Sequence, residues 1–179
     1  MQMIFCQLKQ HGRLRVSATA VLVLLCSLGL FAADNPPQVT LDASNASPRS
    51  VETLTQRAII RDYKFAWASL DSALESNSPG PLNGPFAGTA NAWLRAAISS
   101  QRSSGITSHY LNQHHKLDAV FYAPVGDVIE LHDTAEYDFE IYDGGKTIHN
   151  EHAIVHYVVL MTPGADRWVI RQLQAVPQF

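Results

Sequence analysis

The sequence predicts an α+β domain in which two N-terminal helices pack on a curved antiparallel sheet. Three observations predict it. Apolar residues recur every three to four positions over 51–76 and again over 89–103. From Ile106 onward the period becomes two. The two patterns are segregated along the chain, helices first and strands after, as in α+β layers.

The first helix is expected over Val51 to Ser76, with Val51, Ile59, Tyr63, Ala66, Trp67, Leu70, Ala73 and Leu74 on one stripe. Ser50 is its expected N-cap, and Asn77-Ser78-Pro79-Gly80-Pro81 ends it. Three prolines and three glycines in the ten residues from Pro79 to Gly88 make a loop, pinned to the core by Leu82 and Phe86. Thr89 caps a second helix that runs to Ser103. Its face is Ala90, Trp93, Leu94, Ala97 and Ile98, and Gly105 stops it. Trp67 and Trp93 are both expected in the core.

Strands follow at Leu117 to Val125, Val128 to Leu131 and Ala135 to Tyr142, with His132-Asp133 read as a short turn between the last two. Ala135, Tyr137, Phe139 and Ile141 alternate with Glu136, Asp138, Glu140 and Tyr142, which gives a half-buried strand with an acidic outer face. Asp143-Gly144-Gly145-Lys146 is a hairpin signal. Thr147 to Met161 pairs back, Pro163 and Gly164 turn the chain, and Arg167 to Val176 is the last strand.

In front of the domain, Val16 to Ala33 is an uncharged, largely apolar stretch of 18 residues preceded by Lys9, Arg13 and Arg15. This layout predicts export. Residues 1–33 are read as a signal peptide or an N-terminal membrane anchor. The small residues Ala32 and Ala33 favour cleavage and Phe31 opposes it, so both forms stay open. Either places the body outside the cytoplasm, periplasmic or anchored facing the periplasm, and residues 16–33 contact the membrane if they are kept. Residues 34–50, with Pro36, Pro37 and Pro48, are read as a Pro-rich linker, and residues 51–179 as the domain.

The chain carries 13 basic and 16 acidic residues; without Lys9, Arg13 and Arg15 the balance is 10 to 16, a net −6. An acidic body excludes a nucleic-acid binder, which needs a basic face to neutralise phosphates. Both cysteines, Cys6 and Cys26, lie in the head, so the body has no disulfide, Cys-ligated zinc or Cys nucleophile.

No reaction declares itself. His149, His152 and His156 would share a helix face, but the β-branched Ile154, Val155, Val158 and Val159 make the segment a strand. There His152 and His156 lie about 13 Å apart, too far for one metal ion. Asp127, Glu130, Asp133, Glu136, Asp138, Glu140 and Asp143 crowd 17 residues without a Lys or Arg. Strand spacing lines Glu136, Asp138 and Glu140 in a solvated row rather than converging them in a cleft. Nucleophile-elbow and phosphate-loop motifs are absent from the sequence. No catalytic residue, metal or cofactor is therefore expected.

The order of these elements carries a resemblance. Trp67, Leu70-Asp71 and Leu74 precede the Gly-Pro loop. Then come the helix ending at Gly105, Thr134-Ala135-Glu136-Tyr137, the Gly-Gly hairpin, His156-Tyr157-Val158-Val159 and Arg167-Trp168-Val169-Ile170. Over about Val51 to Val176 the chain resembles the nuclear-transport-factor-2-like (cystatin-like cone) superfamily. Within it, the chain resembles the intermembrane-space domain of plastid-division proteins and its bacterial relatives. The resemblance implies a non-enzymatic extracytoplasmic binding or assembly domain. Its partner would be a protein or a small apolar ligand, and it would have a face suited to a homodimer. The superfamily also contains isomerases and dehydratases, so the alternative is a small-molecule enzyme with a His/Tyr pocket. The pocket residues for either reading are Tyr63, Trp67, Tyr137, His152 and His156, with His152 or His156 as base and a tyrosine as donor. The pattern places no aspartate beside Tyr63 and Tyr137.

Overall fold

The computed structural model describes residues 35–179, and the 1–33 head lies outside the described residues. Helix α1 spans Thr53–Glu75 and buries Ile59, Tyr63, Ala66, Trp67, Leu70, Ala73 and Leu74, the expected stripe. Its start differs from expectation. Glu52, not Ser50, is the N-cap and makes no side-chain cap. Instead Arg49 donates to the Glu52 carboxylate through Nε at 3.0 Å, and Gln56 Nε2 donates to the Val51 carbonyl at 2.8 Å. Asn77 leaves the helix with φ 49, and its side chain donates to the Ile106 carbonyl at 2.7 Å. Leu82 and Phe86 are buried and pin the following loop.

Helix α2 spans Gly88–Ser103 and buries Ala90, Leu94 and Ile98. Trp93 is not core: it is 45% exposed. Its position flanks the Ala90–Leu94–Ile98 row, so the indole hangs over the edge of the contact instead of entering it.

Among the described residues the sheet has six strands: β1 Gln38–Asp42, β2 Ser47–Pro48, β3 Ile106–Tyr122, β4 Ile129–Asp143, β5 Lys146–Pro163 and β6 Trp168–Val176. The order is β1-β3-β4-β5-β6, with β2 also on β3. It is open and mixed, not wholly antiparallel, because the segment read as a linker enters it. β1 runs parallel to β3, Gln38 opposite His114 through Asp42 opposite Asp118. β2 pairs parallel at Phe121 and Tyr122. Val39 is 7% exposed, part of the core. The sequence hides this because an edge strand this short shows too little alternation, and prolines are tolerated on an edge.

β4 is continuous where a turn was expected at His132-Asp133. Its odd-numbered residues Leu131, Asp133, Ala135 and Tyr137 are buried against the helices. β3 begins at Ile106, before the expected Leu117, and carries register shifts between Leu111 and His114 and between Ala119 and Phe121. Asn112 sits in the first with φ 52. The extra residue changes which side chains face the core. Ser108 is buried before it; Gln113, His115, Leu117 and Ala119 are buried after it. The β4–β5 hairpin turns at Gly144 and Gly145, φ 55 and 81, as the sequence predicts.

The core lies between the helices and the inner face of the sheet, where Leu117, Leu131, Val159, Met161 and Ile170 meet the α1 stripe. Two aspartates tie α1 down, Asp62 buried and Asp71 half-buried. Asp62 Oδ2 accepts the Trp168 N–H at 2.7 Å, and Asp71 Oδ1 accepts the Tyr110 N–H at 2.7 Å.

Candidate functional site

Three polar side chains meet in the core. Tyr63 is delivered by the middle of α1, Asp133 by β4, and His115 by β3 after its bulge. The Tyr63 hydroxyl donates to Asp133 Oδ2 at 2.7 Å, and His115 Nδ1 lies 2.8 Å from the same oxygen. A carboxylate accepts, so the imidazole presents Nδ1–H to it. Among the described residues neither His115 Nε2 nor Asp133 Oδ1 has a hydrogen-bond partner, and both are buried. Each orphan costs roughly 1–3 kcal/mol.

Aromatic rings enclose the cluster. Trp67, one turn after Tyr63, stacks tilted on His115 at 4.4 Å between centroids. Tyr110 and Tyr157 meet Trp67 edge-on at 5.5 and 5.7 Å. The Tyr137 and Tyr157 hydroxyls are 3.1 Å apart. Trp67 and Tyr63 are both fully buried, so the indole fills the space that an open pocket would need.

Burial sets the chemistry of the phenols. Desolvation, followed by the Asp133 charge, pushes Tyr63 well above its ordinary pKa. Desolvation is also the main cause of upward shifts at Tyr110, Tyr137 and Tyr157. A general acid or base works best with a pKa near the ambient pH, and these phenols move away from it.

Of the expected site residues, the structure brings Tyr63, Trp67 and Tyr137 together. His152 and His156 are not with them. They occupy even positions of β5, which face away from the helices, whereas Tyr157 faces in. His152 pairs on the outer face with Asp138 at 2.9 Å and Glu136 at 3.4 Å. His156 Nδ1 lies 3.3 Å from Thr134 Oγ1, and its ring meets Phe179. Sequence reasoning missed Asp133, His115, Tyr110 and Tyr157. Asp133 shares the parity of Ala135 and Tyr137, and Tyr157 that of Val159, so strand parity signals both. Strict alternation from Tyr110 would bury His114, and nothing in the sequence announces the bulge that selects His115.

Two of the open grooves among the described residues border the cluster's surroundings. One, about 310 Å³, lies on the outer face between Gln38, Thr40, His114, Lys116, Glu136 and Ile154. The other, about 580 Å³, runs between Trp93 and Thr89 of α2 and Gln172–Ala175 of β6, with Tyr157 at its floor. Among the described residues no three His, Cys, Asp or Glu side chains are grouped to hold a metal ion. No helix among them is long and apolar enough to cross a membrane.

No family model and no curated protein matches the chain. Among solved structures it is similar to the crystal structure of the intermembrane space region of chloroplast protein ARC6. The TM-score is 0.57 at 10% identity, and the match covers 67% of this chain and 95% of that one. At that identity the likeness concerns the fold alone, and the chain stands in a distant structural relation to that intermembrane-space region.

Proposed function

We propose that this chain is a non-enzymatic binding or assembly domain that works outside the cytoplasm. The observation that carries the reading is the sealed tyrosine–aspartate–histidine cluster. Groups suited to acid–base chemistry are present, but Trp67 occupies the space a substrate would take, and burial moves the phenols away from neutral pKa values. The distant likeness to an intermembrane space region and the basic, apolar head support the location. The order of helices and strands supports placement in the nuclear-transport-factor-2-like superfamily. Recognition then belongs to exposed surfaces, and a protein partner suits them better than a small apolar ligand.

The test is native mass spectrometry of the full chain from its own cells, with capture of bound proteins. A protein partner that stays bound to Asp133→Asn and His115→Gln variants is expected. A co-purifying small molecule that is lost in those variants, with turnover lost too, would overturn the reading in favour of an isomerase- or dehydratase-like enzyme.

A further inference from the structure

The two halves of β5 have different neighbours. β6 pairs with it only from His156, opposite Val176, to Pro163, opposite Trp168. β4 pairs with it on the other side from Lys146 to Met161. From Thr147 to Val155 β5 is therefore a sheet edge with no strand on its free side among the described residues. That edge is about 30 Å long at roughly 3.3 Å per residue.

Exposed edges carry unpaired N–H and C=O groups and are normally protected by lysines, prolines or bulges within the strand. Thr147 to Val155 holds no lysine and no proline, and its register shift against β4 leaves Ile148 unpaired next to the hairpin tip, with Tyr142 opposite Thr147 and Ile141 opposite His149, so that His149 to Val155 is free of bulges. Ile148, in the bulge, and Ile154, on the outer face, are 56% and 60% exposed, one toward each end. Between them lie Asn150 and His152, with Glu151 on the opposite face. The surroundings are acidic. Glu136, Asp138 and Glu140 stand on the adjoining β4, held by His152, Asn112 and Asn150. Lys146 at the hairpin tip is the lone Lys or Arg between Ala135 and Val155.

Resting on the binding-domain reading above, we propose that this edge of β5 is the docking site for an extended segment of a partner protein. The segment adds as a further strand, with lysine or arginine at its centre and an apolar residue toward each end. Main-chain hydrogen bonds to the open edge supply register-independent affinity, and side chains choose the partner. A central cation faces Glu151. Its neighbours lie over Asn150 and His152, within reach of Asp138 and Glu140. The apolar ends cover Ile148 and Ile154. A second copy of this chain fits less well. The antiparallel register that pairs Thr147–Val155 with itself puts Glu151 of one copy against Glu151 of the other, and like charges directly opposite are destabilising.

The probe is a fluorescein-labelled peptide, Thr-Val-Thr-Lys-Lys-Lys-Thr-Val-Thr, which reads the same in both directions and so fits a parallel or antiparallel approach. It is titrated with the full chain by fluorescence anisotropy and checked by amide hydrogen exchange. Expected are saturable binding, slowed exchange within Thr147–Val155, and about tenfold weaker binding by Glu151→Lys or of a peptide with three glutamates in place of the lysines. Glu151 is exposed, so circular dichroism should show that variant folded. No binding by folded protein, equal binding of the acidic peptide, or protection elsewhere would each overturn the edge assignment. So would protection of Thr147–Val155 that grows with protein concentration alone, which would assign the edge to a second copy. None of these outcomes touches the non-enzymatic reading, which is decided by ligand and turnover.

Discussion

Tyr63 donates its hydroxyl to Asp133 across the core at 2.7 Å, joining the middle of α1 to the middle of β4. The bond explains how a fully buried carboxylate persists in a strand that is otherwise apolar on that face. It predicts strong coupling. Tyr63→Phe should cost about 1–3 kcal/mol, since it leaves Asp133 Oδ2 with His115 alone. Urea unfolding of Tyr63→Phe, Asp133→Asn and the double variant should give a coupling energy of about 0.5–3 kcal/mol. Simple additivity would mean that the two groups do not depend on each other.

Trp67 holds the rest of the cluster apart from solvent. Trp67→Ala should cost about 3–5 kcal/mol and leave a cavity walled by Tyr63, Tyr110, His115 and Tyr137. Added indole should restore part of the lost stability, because a ligand that binds only the folded state stabilises it by mass action. Urea midpoints with and without indole measure both effects. A loss below about 1 kcal/mol would show that the core collapses into the space.

The parts of this site that the sequence discloses are those set by periodicity. Tyr63 and Trp67 follow from a 3.6-residue stripe, and Tyr137 from alternation in β4. Asp133 is hidden by its own chemistry: beside a histidine, between two apolar runs, aspartate reads as a turn residue, and only its partners on other elements allow the strand to continue. His115 is hidden by a bulge. Trp93 errs in the other direction, since a stripe of Ala90, Leu94 and Ile98 is narrow enough to leave a flanking indole outside. Each miss is a tertiary contact overriding a local pattern.

On the outer face, hydrogen bonding to Asp138 raises the pKa of His152 above the ordinary histidine value. Asn112 first and His152 second lower that of Asp138. A raised histidine pKa contributes stability in full below the unfolded value and loses it as pH rises through the folded one. A lowered carboxylate pKa contributes above its unfolded value and loses it as pH falls through the folded one. The pair therefore acts most fully between about 3.9 and about 6.5, the unfolded values. Ring-proton NMR should give a His152 midpoint above about 6.5 that falls in Asp138→Asn. A midpoint indifferent to that substitution would show that the contact is not kept in solution.

The hairpin that carries the open edge depends on two left-handed residues. Gly145 has φ 81, and a Cβ added there would meet nothing within 4 Å, so any cost is backbone strain and not a clash. Gly145→Ala should destabilise by about 1–2 kcal/mol. Gly144→Asn should cost less, because asparagine tolerates φ near 55. Thermal unfolding of the two variants should rank them in that order, and a reversed rank would contradict the turn geometry.

The stretch before α1 offers the clearest contrast between the pattern of a spacer and a place in the sheet. Val39 lies on β1 between Gln38 and Thr40, pairs with His115 on β3, and packs into the same core as Leu117. Thr40 Oγ1 is 3.4 Å from the His115 carbonyl, so β1 also touches the strand that carries the buried histidine. A residue in a spacer changes stability by no more than about 0.5 kcal/mol when substituted. Val39→Ala removes two buried methyl groups and should cost about 1–2 kcal/mol. Val39→Asp should cost more, since it buries an unpaired carboxylate. Urea unfolding of both variants, with Gln38→Ala as the exposed control on the same strand, separates the cases. If all three variants unfold with the parent's midpoint, β1 contributes nothing to the fold and residues 34–50 act as a tether alone.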